Sequence, residues 1–195
     1  MRSFVNWIIF LAVVAMTPLL SADRADDLGV QFTLIGNANN AADETELGSV
    51  PYNFEISQSP VTTGTFARWF NAIDPLGTGR WVTPGVSLNN NAQIGVKYRA
   101  NSPGGLAIVK GSLASQFIKW LNTGTITPNV SSGDIDKGPI HFPTSDELYK
   151  AAFFDSQTSA YSKSAKWHYG PASPGERSRN LTMPLCSDLL IFQAS

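Results

Sequence analysis

Apolar positions recur along this chain at three spacings, and each predicts a different element. Tyr52, Phe54 and Ile56 alternate with Asn53, Glu55 and Ser57, the period of a half-buried strand. Phe66, Trp69, Phe70 and Ile73 fall on one face of a helix. Thr62 or Thr63 can cap that helix. Asp74-Pro75 ends it, because a residue before proline avoids helical geometry. Phe4 to Met16 is an apolar run broken only by Asn6.

Further elements follow from the same reading. Val30 to Ile35 predicts a first strand, after a flexible lead-in from Asp23 to Gly29. A second helix starts near Ser112, buries Leu113, Phe117, Trp120 and Leu121, and closes on Gly124. Pro143-Thr144-Ser145-Asp146-Glu147 is a capping box: Thr144 caps a third helix and Glu147 reaches back to the cap amide. Leu148, Ala151 and Ala152 then face inward. Residues 37–48, 75–104 and 125–139 read as polar or Gly/Pro/Asn-rich connections. The pattern is α+β and loop-rich, with a few short strands and two or three helices. Strands and helices do not alternate as in a parallel sheet. Loops this long are uncommon unless they serve a purpose.

The first apolar run is too short to span a bilayer comfortably. With Arg2 before it and Leu20-Ser21-Ala22 after it, it reads as an export signal over residues 1–22. Cleavage is expected after Ala22, with Ala25 the lesser site. No later segment approaches about 18 apolar residues, so no transmembrane domain is expected after signal cleavage. The expected location is secreted or periplasmic.

Composition narrows the function classes. Only 15% of the residues are charged and the net charge is −1, so no global basic field recruits nucleic acid. Residues 23–60 carry seven acids and the single base Arg24, an acidic start to the exported chain. The single cysteine, Cys186, rules out an intramolecular disulfide framework and a Cys-rich zinc site.

The usual catalytic constellations are absent, and no catalytic, cofactor-binding or metal-ligating residue is assigned. His141 and His168 are expected to be solvated or hydrogen-bonded structural residues. Gly77-Thr78-Gly79 lacks the third glycine and preceding strand of a dinucleotide loop. Asp134-Ile135-Asp136 imitates a calcium loop, but Ser145 stands where a bidentate Glu is needed. Gly111-Ser112-Leu113-Ala114-Ser115 misses the nucleophile-elbow pattern at its last residue. Cys186 has Leu185 and Ser187 as neighbours, not the electropositive setting of a reactive thiol. The five Trp residues are expected to fill a core rather than form a ligand platform.

Three stretches resemble the formylglycine-generating enzyme family, the sulfatase-modifying factor domain. The first is Ile35-Gly36-Asn37-Ala38-Asn39-Asn40-Ala41-Ala42-Asp43 followed by Gly48-Ser49-Val50-Pro51-Tyr52-Asn53-Phe54-Glu55-Ile56. It is similar to the family's "GN..NAAD" segment running into "GsVaYdYrI", and continues through Val61-Thr62 and Phe66 to Ile73. The second is Val109 to Gly124, where Phe117, Trp120-Leu121 and Gly124 match "VSWyDAarFanWLhnG". The third and most specific is Phe142-Pro143-Thr144-Ser145-Asp146-Glu147-Leu148-Tyr149-Lys150-Ala151-Ala152-Phe153-Phe154-Asp155, similar to "LPTEdEWyKAAyyD". Together they cover roughly residues 30–161 in family order.

The resemblance implies a C-type-lectin-like fold with long packed loops. It also implies a family chemistry: a sulfatase cysteine oxidised to formylglycine with oxygen and with copper held by two cysteines, calcium being structural. Soft thiolates suit Cu(I). The chain departs from the family at Pro60, Lys110, Gly111, Leu113 and Leu148, and it lacks the later "GNvwEW" and "RGGsw" segments. Residues 23–161 therefore resemble the N-terminal part of the domain, and residues 162–195 are an unassigned tail. No copper or calcium ligand carries over, and one thiol cannot form the pair. The expectation is an exported, catalytically inactive relative whose partner is a sulfatase or another exported protein. Two alternatives stand beside it: a secreted binding module for a protein or glycan, and a truncated or frameshifted member without independent function. An incomplete domain would leave apolar faces uncovered, which favours aggregation or a partner.

Overall fold

A computed structural model describes residues 21–127, 138–155, 158–161 and 192–194. Among the described residues the architecture is mixed α/β and rich in loops, with small antiparallel sheets and four helices. In chain order the elements are α1 (21–27), β1 (Phe32–Ile35), β2 (Phe54–Ser57), α2 (Thr63–Ile73), β3 (Val86–Leu88), β4 (Tyr98–Ala100) and α3 (Gly111–Thr123). Then come β5 (Ile140–His141), α4 (Ser145–Phe153), β6 (Phe154–Asp155), β7 (Ala160–Tyr161) and β8 (Phe192–Ala194). The main sheet has the order β1-β2-β8-β5; β3-β4 and β6-β7 are separate two-stranded ladders. Phe32 faces Ser57 across β1-β2, while β8 pairs Phe192 with Ile56 on one side and with His141 on the other.

The core lies where α2 crosses α3. Thr62 caps α2, its side chain accepting from the Thr65 amide at 3.2 Å. Phe66, Trp69 and Phe70 are fully buried on the expected face. Phe66 and Trp69 meet Phe117 of α3 at ring separations of 5.1 and 5.0 Å. Trp81 and Trp120 pack around Trp69, so the three described tryptophans fill or border the core. On α3 the buried stripe is Ala114, Phe117, Ile118 and Leu121, rotated from the expected one so that Leu113 and Trp120 are only half-buried. Gly124 ends α3 in the left-handed region, φ 71°.

Each of these two helices grips a strand through an asparagine. The Asn71 amide donates to Tyr98 O at 2.8 Å and accepts from Tyr98 N at 2.7 Å. Asn122 treats Ile140 the same way, at 2.7 and 2.9 Å. A side-chain amide carries the same donor and acceptor pair as a peptide, so each asparagine stands in for a neighbouring strand.

One expectation is corrected. Residues 21–27, expected as a flexible lead-in from Asp23, are helical, with Ala25 fully buried and Arg24 Nε donating to Leu121 O at 2.7 Å. Arg24 thereby supplies a cation and a donor to the last carbonyls of α3. The expected cut after Ala22 falls inside this helix; the rest of the proposed signal lies outside the described residues. Residues 75–104 are mostly loop, as expected, and within them the short β3-β4 hairpin is held by Asn71 and by a 2.6 Å hydrogen bond from the Tyr98 hydroxyl to buried Asp74. In the tail, left unassigned by the sequence, Phe192–Ala194 form β8 inside the main sheet.

Candidate functional site

The segment joining β1 to β2, residues 36–53, folds over the first two turns of α4. The capping box is present as expected. The Thr144 hydroxyl accepts from Glu147 N at 3.2 Å, and Glu147 Oε2 accepts from Thr144 N at 2.8 Å. That geometry presents Asp146, Glu147, Tyr149 and Lys150 toward the overlying segment. Glu147, Tyr149 and Lys150 are buried, whereas the expected inward alanines, Ala151 and Ala152, are half-buried beside buried Leu148. The helix is covered on two sides, so its polar residues go inward too.

Four side chains of α4 tie the two pieces together. Asp146 Oδ1 accepts from Gly48 N at 2.8 Å. Glu147 Oε1 accepts from the Tyr52 hydroxyl at 2.8 Å and sits 3.2 Å from His141 Nε2. The Tyr149 hydroxyl donates to Asp43 Oδ2, while Asp43 Oδ1 takes the Thr45 amide at 2.7 Å. Lys150 Nζ donates to Asn37 O at 2.8 Å and lies 5.8 and 5.6 Å from the Phe54 and Phe154 rings. Within the segment, Asn40 Nδ2 donates to Gly48 O at 2.8 Å and to the Tyr161 hydroxyl at 2.6 Å. Tyr161 in turn donates to Gly48 O at 2.7 Å. A Cβ at Gly48 would stand 2.2 Å from that hydroxyl, and φ there is 86°, so only glycine fits.

The electrostatics follow from these partners. Burial alone would raise the Glu147 pKa. The hydrogen bonds from His141, Thr144 and Tyr52 outweigh burial and hold the carboxyl down to about 2. Burial and the Glu147 carboxylate push the Tyr52 phenol up to about 12. Burial likewise takes Tyr161 to about 12, with Asp43 adding to the effect. Burial lowers Lys150. Glu147 is therefore a fixed anion at neutral pH and both phenols are fixed donors.

A cavity of 330 Å³ opens beside this lock, lined by residues 41–44 and 159–161. Asp43, Glu44, Ser159 and Tyr161 supply its polar groups. The Asp43 carboxylate is engaged on both oxygens, and the Tyr161 hydroxyl is engaged with Asn40 and Gly48.

The residues considered for chemistry in the sequence do not gather here, apart from His141, which is hydrogen-bonded as expected. Gly77 and Gly79 flank a turn in which Thr78 donates to Asp74. Gly111 to Ser115 forms the start of α3, whose cap Lys110 makes no side-chain bond. Asp134 to Asp136, His168 and Cys186 lie outside the described residues. Asn40, Asp43, Tyr149, Lys150 and Tyr161 were not singled out. The first four lie inside quoted motifs, but nothing in their spacing announces a contact across about a hundred residues.

Comparison with protein-family models, curated proteins and solved structures finds no match to this chain. The copper donors of the resembled family are not both present in the chain. Copper needs two thiolates and the chain has one cysteine. Among the described residues no three His, Cys, Asp or Glu side chains converge as a metal site.

Proposed function

We propose that this is an exported, non-catalytic protein built on a C-type-lectin-like, sulfatase-modifying-factor-like fold. Its role is to bind, through the cavity between residues 41–44 and 159–161, rather than to oxidise. One observation carries this reading. The two stretches with the strongest family resemblance, 35–56 and 142–155, are distant in sequence and lock onto each other through Asp43, Asp146, Glu147 and Lys150. Motifs that share a physical contact support a common fold more strongly than motifs matched separately. The lone cysteine supports the loss of copper chemistry, since one thiol cannot hold Cu(I) and receive a substrate thiol together.

The expected partner is a sulfatase or another exported protein, and the expected location is secreted or periplasmic. A Cys-x-Pro-x-Arg peptide incubated with the purified chain, copper and oxygen should show no formylglycine by mass spectrometry. Copper-dependent product from this chain alone would overturn the non-catalytic reading.

A further inference from the structure

Six of the eight large hydrophobic side chains exposed among the described residues lie between α2 and α3: Leu76, Val82, Ile94, Val96, Leu106 and Ile108, each 51–74% exposed. They form two clusters. Gly95 N donates to Pro75 O at 2.8 Å, which brings the backbone at Leu76 close to that of Ile94 and Val96. The Thr83 hydroxyl donates to Ile108 O at 3.1 Å, which sets Val82 beside the extended run 106–110. In that run Ala107 is buried while Leu106, Ile108 and Lys110 are exposed. The turn from Leu76 to Val82 joins the two clusters.

The charge of the same stretch is one-sided. Residues 75–110 contain Arg80, Lys97, Arg99 and Lys110 and no Asp or Glu. Arg80, Arg99 and Lys110 are exposed, and Arg80 lies 5.5 Å over the Trp81 ring. The acids sit elsewhere, seven of them in residues 23–60.

Exposed apolar side chains interleaved with bases, and free of acids, match the chemistry of one surface: acyl chains beneath anionic headgroups. We infer that the 75–110 face docks this protein on an anionic phospholipid surface. The apolar side chains enter the headgroup region while Arg80, Arg99 and Lys110 meet phosphates. No helix of the described residues is long and apolar enough to cross a membrane, so the contact is peripheral. A protein partner or a second copy would also cover apolar side chains. The uniform positive charge favours the lipid, because two copies of this face would repel each other.

Co-sedimentation of the full chain with vesicles tests the inference. The chain should bind vesicles of phosphatidylcholine with a third phosphatidylglycerol, bind pure phosphatidylcholine far less, and dissociate as salt rises. Each base removed should weaken partitioning about fivefold, so Arg80→Gln, Arg99→Gln and Lys110→Gln together should cost on the order of a hundredfold. Val82→Asp with Ile94→Asp should also release the chain, while Leu34→Asp, on an exposed apolar position of β1, should leave binding unchanged. Three results would overturn the proposal. One is equal binding to neutral vesicles. Another is parent-level binding by the 75–110 variants, which would place the contact elsewhere, such as the N-terminal apolar run. The third is a vesicle-free dimer that the same variants dissociate, which would make a second copy the occupant.

Discussion

Between α2 and α3, rings touch rings; between the 36–53 segment and α4, carboxylates, phenols and an ammonium reach for backbone. The first region is stabilised by apolar area and shape, which tolerate small shifts. The second depends on individual donors and acceptors, and those on buried Glu147, Tyr149 and Lys150 must be satisfied. The aromatic centre should therefore carry most of the stability, and the polar lock should fix the position of one loop. The second region, built around Glu147, should respond to pH more strongly than the first, where Asp74 at the end of α2 is the carboxylate held down, against its burial, by its hydrogen bonds.

The largest expected effect is in the aromatic centre. Trp69→Ala should lower unfolding free energy by about 3–5 kcal/mol, read from denaturant midpoints. Trp69→Phe should cost much less, because the Trp69 Nε1 proton has no acceptor among the described residues and its loss removes an unsatisfied donor. A polar-lock variant as damaging as Trp69→Ala would break the comparison.

Next comes pH. Glu147 is held near 2 against an ordinary value of 4.5, and a depressed carboxylate stabilises the fold above its unfolded value. That contribution, up to about 3 kcal/mol, should be present above pH 4.5 and disappear as pH falls toward 2. Denaturation curves from pH 6 to pH 2 should show that slope, and Glu147→Gln should flatten it. Equal slopes in both proteins would place the pH response elsewhere.

Asn122→Ala should cost about 2 kcal/mol, since it strands both backbone groups of buried Ile140. Faster hydrogen exchange should be confined to β5 and the end of α3. Gly48→Ala should cost about 1–3 kcal/mol, and Tyr161→Phe in the same chain should recover part of it by removing the hydroxyl in the way. Additive losses would mean that backbone strain, not contact, dominates. The smallest effect is Thr144→Ala, about 1 kcal/mol for the lost cap, seen as fraying of the first turn of α4.

These regions were not equally legible in the sequence. Thr62, Gly124 and the Thr144–Glu147 box mark helix ends through local chemistry, and the structure places those ends as expected. The α2 face was legible because four large apolar residues repeat at helical spacing. The β3-β4 hairpin was not. Its strands are three residues each, and their anchor is Asn71, a long-range partner with no periodic signature. The helix at 21–27 has only Ala22 and Ala25 as apolar residues, with Leu28 just beyond it, and its main tether is an arginine reaching another helix. The polar lock was hidden for a related reason. Asp43 and Lys150 look like surface residues until the helix beneath and the segment above are brought together.

The sheet order has a consequence for how the chain folds. Because β8 lies between β2 and β5, the local β1-β2 ladder can form early, but the other edge of β2 waits for residues 192–194. During synthesis the α2–α3 centre can condense long before the sheet is complete, since its partners emerge close together. The β2-β8-β5 pairing is then the last part to form and has the highest cost in loop closure. Refolding kinetics should show aromatic burial first and the β2-β8-β5 pairing as the slow step.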